Sequence, residues 1–187
     1  YSGTFLDRYG IDVELTATQR VGFHKYTFPA SDNAYVIIDL ENGTCWDKPV
    51  EGFIVQENDT FVSGHRYSTG WADAQKVFFT AVFSKPIKKF IGSQANERKD
   101  SSTLKAEKTY GLAYFDMADK EELYVKVALS PVSIENAKLN MQAELPHWNF
   151  EQTIVDAGKA WNKELNKIQI ETESEQVKRI YYTAMYH

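Results

Sequence analysis

Four histidines, one cysteine and scattered acidic residues are the groups in this sequence that could hold a metal or move a proton. His24, His65, His147 and His187 stand in no HxH or HExxH spacing, and none has carboxylates at metal-ligand intervals. His24, beside Phe23 and near Tyr26, reads as a hydrogen-bonded structural residue. Cys45 is the single cysteine, so it closes no internal disulfide and completes no zinc cluster. Between Thr44 and Trp46, with no activating group beside it, it reads as a packing residue. Two-carboxylate acid–base chemistry needs a pair facing one reacting bond. Glu14, Asp39, Glu41, Asp47 and Glu51 fall at alternating or loop positions and read as the solvent face of strands; Glu121 and Glu122 read as a solvated turn. There is no P-loop, no GxSxG and no GxGxxG after a strand.

The binding constellation with most content is SGHRYSTGW, residues 63–71. His65 begins the stretch, and Arg66, Tyr67, Ser68 and Trp71 combine hydroxyl-directed hydrogen-bonding groups with an aromatic platform, the kinds of group that bind sugars. Arg66 and Trp71 are the candidate substrate-binding residues, and an exposed Trp46 would join Trp71 in a carbohydrate-binding module. The competing reading is a strand end and turn with a core tryptophan.

The elements that must position these residues are mostly strands. Ile11, Val13 and Leu15 alternate with Asp12, Glu14 and Thr16, the period of a half-buried strand. Further strands are expected over 21–28, 34–40, 53–55, 61–67, 104–114 and 123–129, with a turn at Asn42-Gly43. Val36, Ile38 and Leu40 share one face. Residues 77–83, VFFTAVF, are apolar on both faces and must lie between two layers. Residues 92–103 read as a polar, mobile loop, and KPIKK at 85–89 as a basic run that blunts an edge strand. About nine strands without a βαβ alternation predict an antiparallel β-sandwich. A 43% hydrophobic and 14% aromatic composition fits such sheets and excludes a disordered chain.

The period changes after residue 131. Ser133 is the expected cap of a helix through Glu144 that carries Ile134, Ala137 and Met141 on one face. Asn149 and Gln152 form a capping-box pattern before a helix whose stripe is Phe150, Ile154, Ala157, Trp161, Leu165 and Ile168. Thr172 and Glu175 suggest a third cap, before Val177, Ile180, Tyr181, Ala184 and Met185. That last stripe needs burial, and little sequence is left to supply it. The chain is therefore expected to be cut from a longer polypeptide. Tyr1, where Met would start a chain, and an opening strand without lead-in suggest the same of the front.

A net charge of −5 argues against nucleic acid and anionic membrane as partners, and no apolar run is long enough for a transmembrane helix.

Longer stretches add a resemblance. YGIDVELTATQRVGFHKYTFP (9–29), GHRYSTGWA (64–72) with KVFFTAVFSKP (76–86), VKVALSPVSIENAKLNMQAELPHWNF (125–150), AWNKELNKIQIE (160–171) and RIYYTAMYH (179–187) are similar, in order, to glycoside hydrolase family 92. The resemblance implies a supersandwich-like β-domain over 1–131 that lacks its first strands. Residues 132–187 would be a helical linker and the first helix of an absent (α/α)6 catalytic domain. It further implies a calcium-dependent, inverting exo-α-mannosidase, expected to be of the α-1,2 type and acting on mannose-containing glycans in the periplasm or at the surface of a bacterium. The catalytic acid, the base and the calcium ligands would belong to the barrel, which packs on the sandwich and helices. No catalytic or metal-binding residue is carried onto this sequence, and the isolated piece is expected to be inactive. The alternative is a stand-alone carbohydrate-binding β-sandwich.

Overall fold

The structure is a computed structural model and describes residues 4–6, 9–43, 46–94, 97–99 and 102–187, with the side chains of 4–6, 94 and 97–99 left aside. Among the described residues, twelve strands and three helices run in the order β1 (Thr4–Leu6), β2 (Asp12–Ala17), β3 (Val21–Phe28), β4 (Ser31–Asp39), β5 (Lys48–Gln56), β6 (Phe61–Thr69), β7 (Gln75–Phe83), β8 (Lys89–Gln94), β9 (Glu97–Lys99), β10 (Thr103–Ala106), β11 (Thr109–Met117), β12 (Glu121–Ser130), α1 (Ile134–Glu144), α2 (Phe150–Leu165) and α3 (Glu175–Tyr186).

Two antiparallel sheets face each other. The larger has the order β1-β2-β3-β12-β7-β6-β5-β10, and the smaller β4-β11-β8-β9. Inward residues of both, among them Ile54, Val62, Phe79, Phe83, Phe115 and Leu123, form the core between them. Phe83 and Phe115 meet across it with ring centroids 5.2 Å apart. The expected face of β4 is inward, with Ala34 and Leu40 buried and Val36 and Ile38 packed against the core.

Several expectations are corrected. Residues 92–103 are not one loop, because β8 continues to Gln94, β9 occupies 97–99 and β10 begins at Thr103. The stretch 104–114 is two strands in different sheets, parted by a turn at 107–108. KPIKK joins β7 to β8; β8 pairs with β11 from Lys89 to Gln94 and with β9 only from Gly92 to Gln94. There Lys85 donates to the Asp116 carbonyl at 3.0 Å and to Glu121, while Lys88 bonds Asp116 and the Asp32 carbonyl. Glu121 and Glu122 open β12, with Glu122 accepting the Tyr124 hydroxyl at 2.6 Å. Cys45 and the sequence reading made of it lie outside the described residues.

The outer face of β3, β12 and β7 is apolar as well, and the helices cover it. Val21, Phe23, Val82 and Ala128 from the sheet pack with Ala137 and Met141 of α1, Leu145, and Phe150 at the start of α2. Ser133 caps α1 by accepting from the Asn136 amide, as expected. Asn149 caps α2 through the Gln152 amide, but Gln152 turns its own side chain to Asp156, so the box is only half formed. Ser174 caps α3 in place of Thr172, whose hydroxyl instead accepts from the Ser174 amide. Ile168 lies beyond the end of α2.

Among the polar contacts that fix the helices to the sheet are those of Glu144 and Lys126. Glu144 accepts from the Thr18 hydroxyl at 2.6 Å, the Arg20 amide at 2.9 Å and Arg20 Nε at 2.5 Å. Burial pushes its pKa up, but these bonds and the Arg20 charge together hold it below the ordinary value. Lys126, in the middle of β12, is 4% exposed. Its Nζ donates to the Leu145 carbonyl at 3.0 Å and lies 4.1 Å from the centroid of the Trp148 ring.

Burial pushes the Lys126 pKa down to about 8, from 10.5. Between those values the unfolded chain binds a proton that the folded chain lacks, so stability rises with pH. The neutral amine still donates to Leu145. The unfolding free energy of this chain minus that of a Lys126→Met variant is expected to rise across this window, by on the order of 3 kcal/mol at most. Urea unfolding at a series of pH values checks this, and a flat difference would refute the burial argument.

Candidate functional site: a tryptophan pair over an ion pair

Strand alternation divides the predicted constellation. On β6, His65 and Tyr67 point to the outer face of the large sheet, whereas Arg66 and Ser68 point the other way. His65 stacks between Phe53 and Tyr67, with ring centroids at 5.3 and 4.2 Å. Its Nε2 is 2.8 Å from Glu51, which also pairs with Lys105 at 2.9 Å. The Lys105 and His65 hydrogen bonds hold the Glu51 carboxyl below its ordinary pKa. This is a packed surface cluster with its polar atoms matched.

Arg66 closes one end of the sandwich. Its Nε donates to the carbonyl of Leu40, at the end of β4 in the small sheet, at 3.0 Å. Its Nη1 pairs with Asp47 Oδ2 at 2.5 Å, with both side chains about 15% exposed. Asp47 precedes β5, and β5 pairs with β6, so the guanidinium ties both sheets to the loop between β4 and β5. The Arg66 hydrogen bond lowers the Asp47 pKa and outweighs burial, which raises it. Asp47 was expected to be merely solvated; its partner lies nineteen residues away and only the fold brings them together. Arg66 Nη2 is buried with no hydrogen-bond partner among the described residues.

The glycines of this corner allow the close approach. A Cβ on Gly43 would stand 2.6 Å from both Arg66 Nη2 and Asp47 Oδ2, and one on Gly70 would stand 3.0 Å from Asp47 Cα. Trp46 precedes Asp47 and Trp71 follows Gly70. Their rings lie 5.6 Å apart at 41°. Trp46 is 59% exposed and Trp71 84%, so the core-tryptophan reading of Trp71 is overturned. The structure thus brings Arg66 and Trp71 to one corner, with Trp46 and Asp47, and sends His65 and Tyr67 elsewhere.

His24 is structural: its Nδ1 is 2.8 Å from the Tyr26 hydroxyl. Among the described residues no three His, Cys, Asp or Glu side chains come together as a metal site. The resemblance puts its calcium ligands in the barrel, and no residue of this chain is assigned to a metal.

Asp47→Asn is expected to lower the melting temperature, because Arg66 then stays buried without its counter-charge. Trp46→Ala and Trp71→Ala should leave it nearly unchanged, since both rings are exposed. Thermal unfolding of the three variants checks this, and a large loss at Trp71→Ala would contradict the exposed placement.

The family model described as the glycosyl hydrolase family 92 N-terminal domain matches residues 1–130, and the one described as the family 92 catalytic domain matches residues 136–187. Comparison with curated proteins gave no match. Among solved structures, the chain is similar to the family GH92 alpha-mannosidase BT3965 from Bacteroides thetaiotaomicron, with 29% identity and a TM-score of 0.88 over 95% of this chain and 25% of that one. It is similar to the GH92 family glycosyl hydrolase ccman5, with 25% identity and a TM-score of 0.85 over 94% and 24%. It shares its fold with the inverting mannosidase BT2199 from Bacteroides thetaiotaomicron, at 23% identity and a TM-score of 0.86 over 100% and 25%. The chain spans about a quarter of the length of these structures. With a family model matching more than two thirds of its residues, and these structures beside it, the chain belongs to glycosyl hydrolase family 92.

Proposed function

We propose that this chain is the non-catalytic front part of a calcium-dependent α-mannosidase that removes terminal mannose from glycans with inversion. Residues 1–131 are the β-sandwich domain. Residues 132–187 are the helical linker and the first helix of an (α/α)6 catalytic domain. The observation that supports this most is the order of the two family 92 models on one chain, with the first ending at residue 130 and the second starting at residue 136.

The role of the sandwich is to aim the helices. The first turn of α2 is fixed: Phe150 and Thr153 are buried, and Lys25 pairs with Glu14 and lies 5.2 Å from the Phe150 ring centroid. Further along, Val155 and Trp161 are exposed, and α3 buries none of its residues, with Val177 and Ile180 open. These uncovered stripes are the surface on which the barrel packs. Inverting hydrolysis needs a water between two facing carboxyl groups, and both belong to the barrel together with the calcium ligands. The enzyme acts outside the cytoplasm of a bacterium, and the α-1,2 linkage is the type expected.

The present chain should release no mannose from an aryl α-mannoside with calcium present, whereas a polypeptide extended through the barrel should. The first sugar released should be the β-anomer, read by NMR. Turnover by the chain alone would sink the division of labour. An inactive extended polypeptide, or one releasing the α-anomer first, would sink the activity or its stereochemistry.

A further inference from the structure

We propose that the cleft between the outer face of the large sheet and the α1–α2 turn is a binding site for a small organic monocarboxylate, anchored by the Lys126 ammonium.

The anchor is a group that this chain itself buries. Lys126 is 4% exposed, and its Nζ donates to the Leu145 carbonyl at 3.0 Å. An ammonium has three N–H donors, and the carbonyl takes one. The Trp148 ring, its centroid 4.1 Å away, supplies a π face and no countercharge. Burial alone moves the Lys126 pKa, so no carboxylate among the described residues acts on it. The acids around it have other partners. Glu57 pairs with Lys138 of α1, Glu144 with Arg20 and Glu14 with Lys25 of β3, and Glu122 accepts the Tyr124 hydroxyl. Glu151, at the start of α2, lies 3.7 Å from Lys25. His147, in the turn, accepts from the Asn149 amide. Buried charges are as a rule paired, and here no side chain of the described residues supplies the pair.

Lys126, Leu145 and Trp148 line one cleft of about 630 Å³, whose other walls come from β6, β7 and α1. That is the size of a small-molecule site, roughly 300–1,000 Å³. Phe61, Val82 and Met141 make the walls apolar. Ser84 also lines the cleft, and its hydroxyl oxygen accepts from the Tyr124 amide at 3.0 Å, which leaves its own proton to donate.

Charge and walls together select the ligand. One ammonium balances one negative charge. A dianion would bring a second charge into an apolar cleft, where Lys138 is already held by Glu57. A neutral molecule would leave the ammonium unpaired. A carboxylate on a short apolar body answers both the charge and the walls.

The site needs no mannosidase activity. The test is a titration of this chain with butyrate and benzoate, followed by the indole N–H resonances of its tryptophans, with butyramide and inorganic phosphate in parallel. The Trp148 signal should move and saturate with both carboxylates, while those of Trp46 and Trp71 stay. Butyramide, uncharged and of the same shape, should move nothing. The ammonium is lost as pH rises through the folded pKa of about 8, so butyrate should bind about tenfold or more weaker at about pH 9.5 than at about pH 7. Lys126→Met should abolish binding at both. No saturable movement with either carboxylate, equal movement with butyramide, binding that survives in Lys126→Met, or affinity that does not fall with pH overturns the site. Tighter binding of phosphate than of butyrate overturns the monocarboxylate assignment. Calorimetry on a polypeptide extended through the barrel should find the same butyrate binding. Binding by this chain that is lost there puts an acidic side chain of the longer polypeptide on Lys126 and overturns a free ligand.

Discussion

The middle of the large sheet, β3, β12 and β7, is apolar on both faces, and the rest of the architecture follows from that double burial. One face meets the small sheet. The other would lie in water, so a second layer is required, and the chain supplies it from the helices that directly follow β12. The short path from Ser130 to Ser133 leaves α1 little choice of position. Ser130 bonds Asn136 at 2.9 Å, and Asn140 reaches back to the Leu129 carbonyl at 2.8 Å. A helix that starts there must lie over the strand it has just left. The sandwich and the linker are thus one three-layer body at this point, even though their sequence patterns change sharply at residue 131.

Lys126 lies at the centre of that second core and is an unusual choice for it. Its cost is desolvation, visible in the lowered pKa. Its return is a donor for the Leu145 carbonyl where α1 ends, and a cation against Trp148 before α2 begins. A methionine there would pack as well but could not define the turn between the two helices. The direction of α2 is set by that turn, by the Glu144 bonds to the β2–β3 turn, and by Phe150 in the pocket between them. Polar contacts here specify geometry while apolar contacts supply the stability.

How much could be read in advance depended on whether a segment's own pattern decided its fate. The strand at 11–16, the two-faced run 77–83 and the Ser133 cap were legible, although Thr16 is buried where the alternation puts it in water and Val77 is 43% exposed, so the two-sided burial begins at Phe79. Strand β9 was not, and β10 was read only as the start of one strand running on to 114. ERK and TLKA carry no alternation worth the name, and Leu104 alone of TLKA is buried; they are strands because of what they pair with. The same holds for Asp47. As a carboxylate in a loop it looked solvated, and nothing local announces Arg66 as its partner. The period-2 rule applied to 64–69 would have separated His65 and Tyr67 from Arg66 and Ser68, so that error was avoidable. The identity of Trp71 as surface was not recoverable, since an indole after a glycine suits a core or a platform equally.

The end of the sandwich has to be closed without a helix, and that explains why its chemistry differs from the middle. No second layer reaches β4's last residue, so the large and small sheets are joined there by a side chain. Arg66 is suited to the task because one planar group can serve a carbonyl in one sheet and a carboxylate in the loop at once. Lysine would offer a point charge without that fork. The ion pair needs bare backbone around it: Gly43 lies against Arg66 and Asp47, and Gly70 against Asp47. The same closure fixes the backbone next to Trp46 and Trp71, the residues that flank Asp47 and Gly70.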